Sequence, residues 1–171
     1  MRSIVLPRNQ LDPAYLELLK AFGINCYRGT EPSRLYRPAA KAKQSRPRRA
    51  LRLLDSYLNL TGANLVRWEA VREENGLCNV ASSRFLRPYN PKLRGLEPLR
   101  LRRVVKAMEA AAKQGAIYHL WWHPHNFGAH QELNLTFLAR LLEAFAGLRE
   151  RYGMESLSMA EVCDRVRVSA R

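Results

Sequence analysis

The chain has 171 residues, 47% of them hydrophobic, and carries 29 Lys and Arg against 15 Asp and Glu, a formal net charge of +14. That length and apolar content fit one domain spanning 1–171 with a sizeable core, and they exclude a disordered chain. No run approaches the ~20 apolar residues of a membrane span, and the first ten residues lack a secretory apolar region, so a soluble, cytoplasmic protein is expected, with peripheral attachment to a membrane as a further option.

Ser3 to Leu6 is a short β-favouring run. Asp12-Pro13 supplies an N-cap and a first-turn proline to a helix with Tyr15, Leu16, Leu19 and Phe22 on one face, and Gly23 ends it. Ile24 to Tyr27 reads as a second strand, so the chain opens strand, helix, strand. Residues 29–47 then form a basic exposed loop with three prolines. Arg34, Arg37, Lys41, Lys43, Arg46, Arg48, Arg49 and Arg52 crowd this region, which has no acid between Glu31 and Asp55. A solvated loop accounts for such a run; so does contact with phosphate, whether of nucleic acid, lipid or glycan.

Arg48 to Leu60 predicts a helix striped by Leu51, Leu54 and Leu58, more suited to core packing than to an anionic membrane surface. Asn64 to Asn75 has no decisive pattern. Leu77 to Ala81 is a third strand, and Glu97-Pro98 opens a helix through Leu101, Val104, Val105, Met108 and Ala112 that Gly115 closes. Asn134 to Tyr152 carries Phe137, Leu138, Leu141, Leu142, Phe145 and Leu148 at helical spacing, and Ser158 with Glu161 makes a capping box for a final helix. This alternation predicts an α/β fold with a largely parallel sheet, part of a barrel.

Chemistry concentrates between Tyr118 and Gly128, where two of three tryptophans and three of four histidines fall. Ala116 to Trp122 reads as a buried strand that breaks at Pro124, and ligands of α/β folds gather where strands end. His123, His125 and Asn126 are therefore the site candidates, whereas mid-strand His119 reads as a hydrogen-bonded core residue. His123 and His125 lack an evident third ligand, so no metal site is assigned to this chain. Cys26, Cys78 and Cys163 are widely separated and odd in number, suggesting neither a disulfide framework nor a close-spaced zinc site, and they are compatible with a reducing compartment.

The segments Ser3-Ile4-Val5-Leu6-Pro7-Arg8-Asn9-Gln10, Gly23-Ile24-Asn25-Cys26-Tyr27-Arg28-Gly29, Ala81-Ser82-Ser83-Arg84-Phe85-Leu86-Arg87 and His119-Leu120-Trp121-Trp122-His123-Pro124-His125-Asn126-Phe127 resemble, in this order, the carboxyl-terminal half of polysaccharide deacetylases, the nodulation-deacetylase homology domain. Leu157-Ser158-Met159-Ala160-Glu161 is similar to that family's Thr-Met-Glu ending. The resemblance implies a partial, incomplete distorted β/α barrel and removal of an N-acyl group from a sugar. It implies His123 as the general acid that protonates the leaving amine, Arg8 as the arginine that orients the catalytic carboxylate, and Trp121 and Trp122 as walls of the acyl pocket, with His125 and Asn126 beside them.

The family's intact domain uses a divalent metal, commonly zinc. Its Thr-Phe-Asp-Asp and His-x-x-x-His motifs, which supply the base and the metal ligands, are absent from this sequence. The chain is therefore expected to hold no cofactor and to be inactive alone, as a truncated product, a misassigned start or one half of a split enzyme. Its partners would be an acylated sugar, phosphate- or lipid-linked in one version, and a complementing half-barrel or a second copy. The competing readings are a basic nucleic-acid-binding protein, for which no recognition motif is present, and a structural or interaction protein.

Overall fold

The computed structural model describes residues 2–9, 12–31, 33–36, 45–72 and 76–168. The first sheet contains β1 (Ser3–Ile4), β2 (Cys26–Tyr27) and β3 (Cys78–Asn79), in that order and all parallel. The second pairs β4 (Arg84–Phe85) with β5 (Leu120–Trp121), again parallel, with Arg84 opposite Leu120 and Phe85 opposite Trp121. Among the described residues these strands form open sheets and close no barrel.

The two sheets are joined by one extended stretch. Val80 and Ser82 donate backbone N–H bonds to Tyr27 and Gly29, continuing the ladder with β2. From Ser83 the partner changes: Ser83 donates to His119 and Leu86 donates to Trp121. Residues 78–86 thus pair with β2 first and β5 afterwards. Gly29 is required at the crossing, because a Cβ there would overlap the side-chain amide of Asn79.

Helices cover the sheets as their apolar periods dictate. α1 (Leu16–Ala21) buries Leu19 against Ile24, Tyr27 and Leu77, while Phe22 at its end remains 75% exposed. α3 (Glu97–Gln114) and α5 (Gln131–Tyr152) pack together through Val104, Met108, Phe137, Leu141 and Leu148 beside β4 and β5. Each ends at a glycine in the left-handed region, Gly115 at φ 59° and Gly153 at φ 67°. α6 (Met159–Val168) lays Val162, Cys163 and Val166 over β2 and β3. Its start is the expected capping box, with Ser158 N donating to Glu161 Oε2 at 2.7 Å and Glu161 N to Ser158 Oγ at 3.3 Å.

Several expectations are corrected. The cysteines are not independent: Cys78 on β3 and Cys163 on α6 form a disulfide across 85 residues, and Cys26 lies buried and free opposite Cys78 in the register. Spacing could not reveal this, since the sheet and α6 bring the pair together. The segment 29–47 is not exposed throughout, for Gly29 and Glu31 are buried. Residues 37–44, and with them Arg37, Lys41 and Lys43, lie outside the described residues.

The helix expected to reach Leu60 is α2 (Arg46–Leu54), capped by Ser45. It stops at Asp55 because that carboxylate turns back to accept from the backbone N–H groups of Leu60 and Thr61. Its leucine stripe is not core: Leu51, Leu54 and Leu58 are 46–48% exposed. No helix is long and apolar enough to cross a membrane among the described residues.

Candidate functional site

A cleft of about 570 Å³ lies where β1, β2, β4 and β5 end. The chain leaving β1 lines it with Leu6, Pro7 and Asn9, the chain leaving β2 with Arg28, Thr30 and Glu31, β4 with Phe85 and Arg87, and β5 with Trp121 and His123. Parallel strands expose their last backbone groups and following turns on one edge, so four stretches far apart in sequence meet there.

Trp121 organises the cleft wall. Its ring lies 3.9 Å from Arg28 Cζ, 4.6 Å from the Phe85 ring and 5.2 Å, edge-on, from His123. Arg28 is fixed on the other side by Asn9, whose Oδ1 accepts from Arg28 Nε at 2.9 Å. Asn9 sits at φ 54°, in the left-handed region that asparagine tolerates better than most residues. Trp122 takes the opposite direction, as strand alternation requires. It stacks on Phe127 at 5.9 Å and joins the apolar layer with Leu138, so it does not wall the cleft as the resemblance implied.

His123 lies at the rim, exposed, with its ring 5.8 Å from Phe85 and 5.1 Å from the nearly parallel ring of His125. His125 belongs to the single turn α4 (Pro124–Phe127), is exposed, and lies outside the cleft lining. Asn126 lies in the same turn, its backbone N–H donating to His123 O at 3.0 Å, and is outside the cleft lining. Arg8 falls in the 3₁₀ turn Pro7–Asn9 directly after β1, but its side chain lies outside the described residues. His119 is half-buried and hydrogen-bonded: its Nδ1 lies 3.0 Å from Val80 O, and burial holds its imidazole below the ordinary histidine value.

Two acids passed over in the sequence, Glu31 and Asp55, are the ones that bracket the arginine-rich run. Asp55 is fully buried beneath the cleft, its Oδ2 accepting from Arg84 Nη1 at 2.6 Å, from Tyr36 Oη at 2.8 Å and from Thr61 Oγ1 at 2.8 Å. Burial would raise its carboxyl, but the bond and charge of Arg84 hold it below the usual range. With both oxygens occupied it is a structural anion and no base.

Glu31 does line the cleft. Burial pushes its carboxyl up, against the opposing pull of its own backbone N–H, Arg84, Ser82 and Arg52. A long acid-free stretch ending in single carboxylates was the available sequence signal, since isolated acids among many arginines are natural buried counter-charges.

The polar lining is dominated by guanidinium groups, those of Arg28, Arg52, Arg84 and Arg87, with one carboxylate, Glu31, and one imidazole, His123. A divalent ion needs several neutral or anionic donors converging on one point. No group of three His, Cys, Asp or Glu suited to that exists among the described residues, and the arginines would repel a cation. The residues present in the cleft therefore do not fit the zinc centre of the family's intact domain. Compared with protein-family models, curated proteins and solved structures, the chain finds no match.

Proposed function

We propose that this chain supplies one part of a polysaccharide-deacetylase-type reaction centre, binding an acylated sugar in the cleft and donating a proton from His123 to the leaving nitrogen as the carbon–nitrogen bond breaks. The supporting observation is convergence: the turn containing Arg8, the Arg28–Gly29 stretch, the Phe85–Arg87 stretch and the Trp121–His123 stretch, which carry the sequence resemblance, meet at one cleft. An exposed imidazole at its rim can both reach a ligand and exchange protons with water. Trp121 and Phe85 supply the apolar wall. Both oxygens of Asp55 are occupied and burial opposes the ionisation of Glu31, so the carboxylate that activates water comes in this reading from a complementing polypeptide.

The test is hydrolysis of a chromogenic N-acetyl sugar by the chain alone and with a polypeptide carrying the Asp-Asp and His-x-x-x-His motifs. Turnover is expected only in the mixture, and His123→Ala should reduce it by about 100-fold or more, the usual scale of a lost general acid. Turnover indifferent to His123→Ala, or a mixture as inert as its parts, would overturn the reading. The nucleic-acid alternative, carried by residues 34 to 52, has less in its favour because no recognition motif accompanies that charge.

A further inference from the structure

Arg28 is 9% exposed, yet it makes no ion pair among the described residues. Its Nε is satisfied by the neutral amide of Asn9, and its plane rests on Trp121. Arg87, just after β4, is half-buried, lines the same cleft and also makes no ion pair among the described residues; its Nε donates to Ser56 Oγ at 2.8 Å. Arg84 differs, because Asp55 neutralises it from below. Taking a cation out of water without a counter-charge is costly, and proteins normally provide one. Here the two lining guanidiniums hydrogen-bond to neutral side chains, and the sole lining carboxylate, Glu31, acts favourably on Arg28 through its charge but has its own ionisation opposed by burial.

We infer that the cleft contains a subsite for an oxyanion carried by the ligand, a phosphate or a carboxylate attached to the sugar, with Arg28 and Arg87 as its cationic partners. Guanidinium suits this task, since its planar fork presents paired N–H donors to two oxygens at once. Each arginine is oriented beforehand through Nε, Arg28 by Asn9 and Arg87 by Ser56. That orientation lowers the ordering cost of binding. The sugar as carrier rests on the proposed function; the anion subsite itself does not.

Isothermal titration of the full chain at low salt tests this with four probes: inorganic phosphate, N-acetylglucosamine 6-phosphate, glucuronate and uncharged N-acetylglucosamine. At least one anionic sugar should bind ten or more times tighter than the uncharged one, and the better of the two identifies phosphate or carboxylate. Arg28→Gln and Arg87→Gln should each weaken that binding at least tenfold, and Arg94→Gln, an exposed cation outside the cleft lining, should leave it unchanged.

If Arg28→Gln melts early, Arg28→Lys, which keeps the charge, and Arg87→Gln decide the matter. Equal binding of charged and uncharged sugars, or losses no greater than those of Arg94→Gln, would sink the subsite. Inorganic phosphate bound in an Arg28- and Arg87-dependent way, with neither anionic sugar binding better, would uphold the subsite and overturn the sugar reading.

Discussion

Arg84 and Asp55 form an ion pair at 2.6 Å whose side chains are 4% and 0% exposed, directly beneath the cleft. The pair fastens the end of α2 to β4, and Tyr36 and Thr61 complete its hydrogen bonds. Removing Asp55 leaves two buried guanidiniums, Arg84 and Arg103, without their carboxylate, so Asp55→Ala should cost about 3–5 kcal/mol in urea unfolding. Arg84→Ala should cost less, because Arg103 Nη2 remains 3.8 Å from Asp55 Oδ1. The double substitution should cost less than the sum of the two, which a double-mutant cycle will read.

The same carboxylate predicts an acid limb. Its folded-state value lies below that of the unfolded chain, so its contribution is fully present above the ordinary carboxylate range and disappears as pH falls through the folded value. Denaturation midpoints should therefore decline below about pH 4. Asp55→Asn should flatten that decline.

His119 predicts a second and milder limb. Burial lowers its pKa, so the unfolded chain protonates first and stability decreases as pH falls below about 6.5. Unfolding midpoints measured between pH 8 and 5 should drop in the wild type, and His119→Gln should drop less over the same interval. A wild-type profile that is level there would refute the assignment of His119 as a neutral, hydrogen-bonded residue.

Reduction tests the link between β3 and α6. A cross-link closing a span of this length contributes about 2–5 kcal/mol, so dithiothreitol should lower the melting temperature by several degrees, and Cys78→Ala with Cys163→Ala should remove that sensitivity. Cys26 should resist alkylation in the folded protein, because it is fully buried and burial raises its thiol.

The two adjacent tryptophans should separate in their effects. Trp122→Ala removes a ring stacked on Phe127 within the apolar layer and should cost about 3–5 kcal/mol. Trp121→Ala should instead disturb binding more than folding, since the ring it removes is the one on which Arg28 rests. Urea titration and calorimetric binding on the two variants distinguish these outcomes.

Much of the secondary structure was legible because long periodic segments leave little choice. The stripes of α3 and α5, their glycine stops and the Ser158–Glu161 box are local signals, and each corresponds to an observed element. β4 was missed because Ser82, Ser83 and Arg84 look like a polar surface loop, whereas all three are buried by interactions with distant residues. The strand breaking at Pro124 pointed to His123, His125 and Asn126, of which His123 lines the cleft; Trp121, named only from the resemblance, lines it too. Strand alternation sends the adjacent Trp121 and Trp122 to opposite faces, one to the cleft and one to the apolar layer. The acid-free run between Glu31 and Asp55 marks the two acids as buried counter-charges, but their partners Ser82 and Arg84 and the cysteine bridge were illegible because they lie 51, 29 and 85 residues away.

The change of ladder partner between Ser82 and Ser83 ties the fates of the two halves together. Any force that peels this short backbone run from β2 also pulls on its seam with β5, so the cysteine-lined cluster and the aromatic layer share a common spine. A proteolytic nick in that spine would loosen the molecule at both ends, whereas the same cut on the outer turn at Gly95 would spare it.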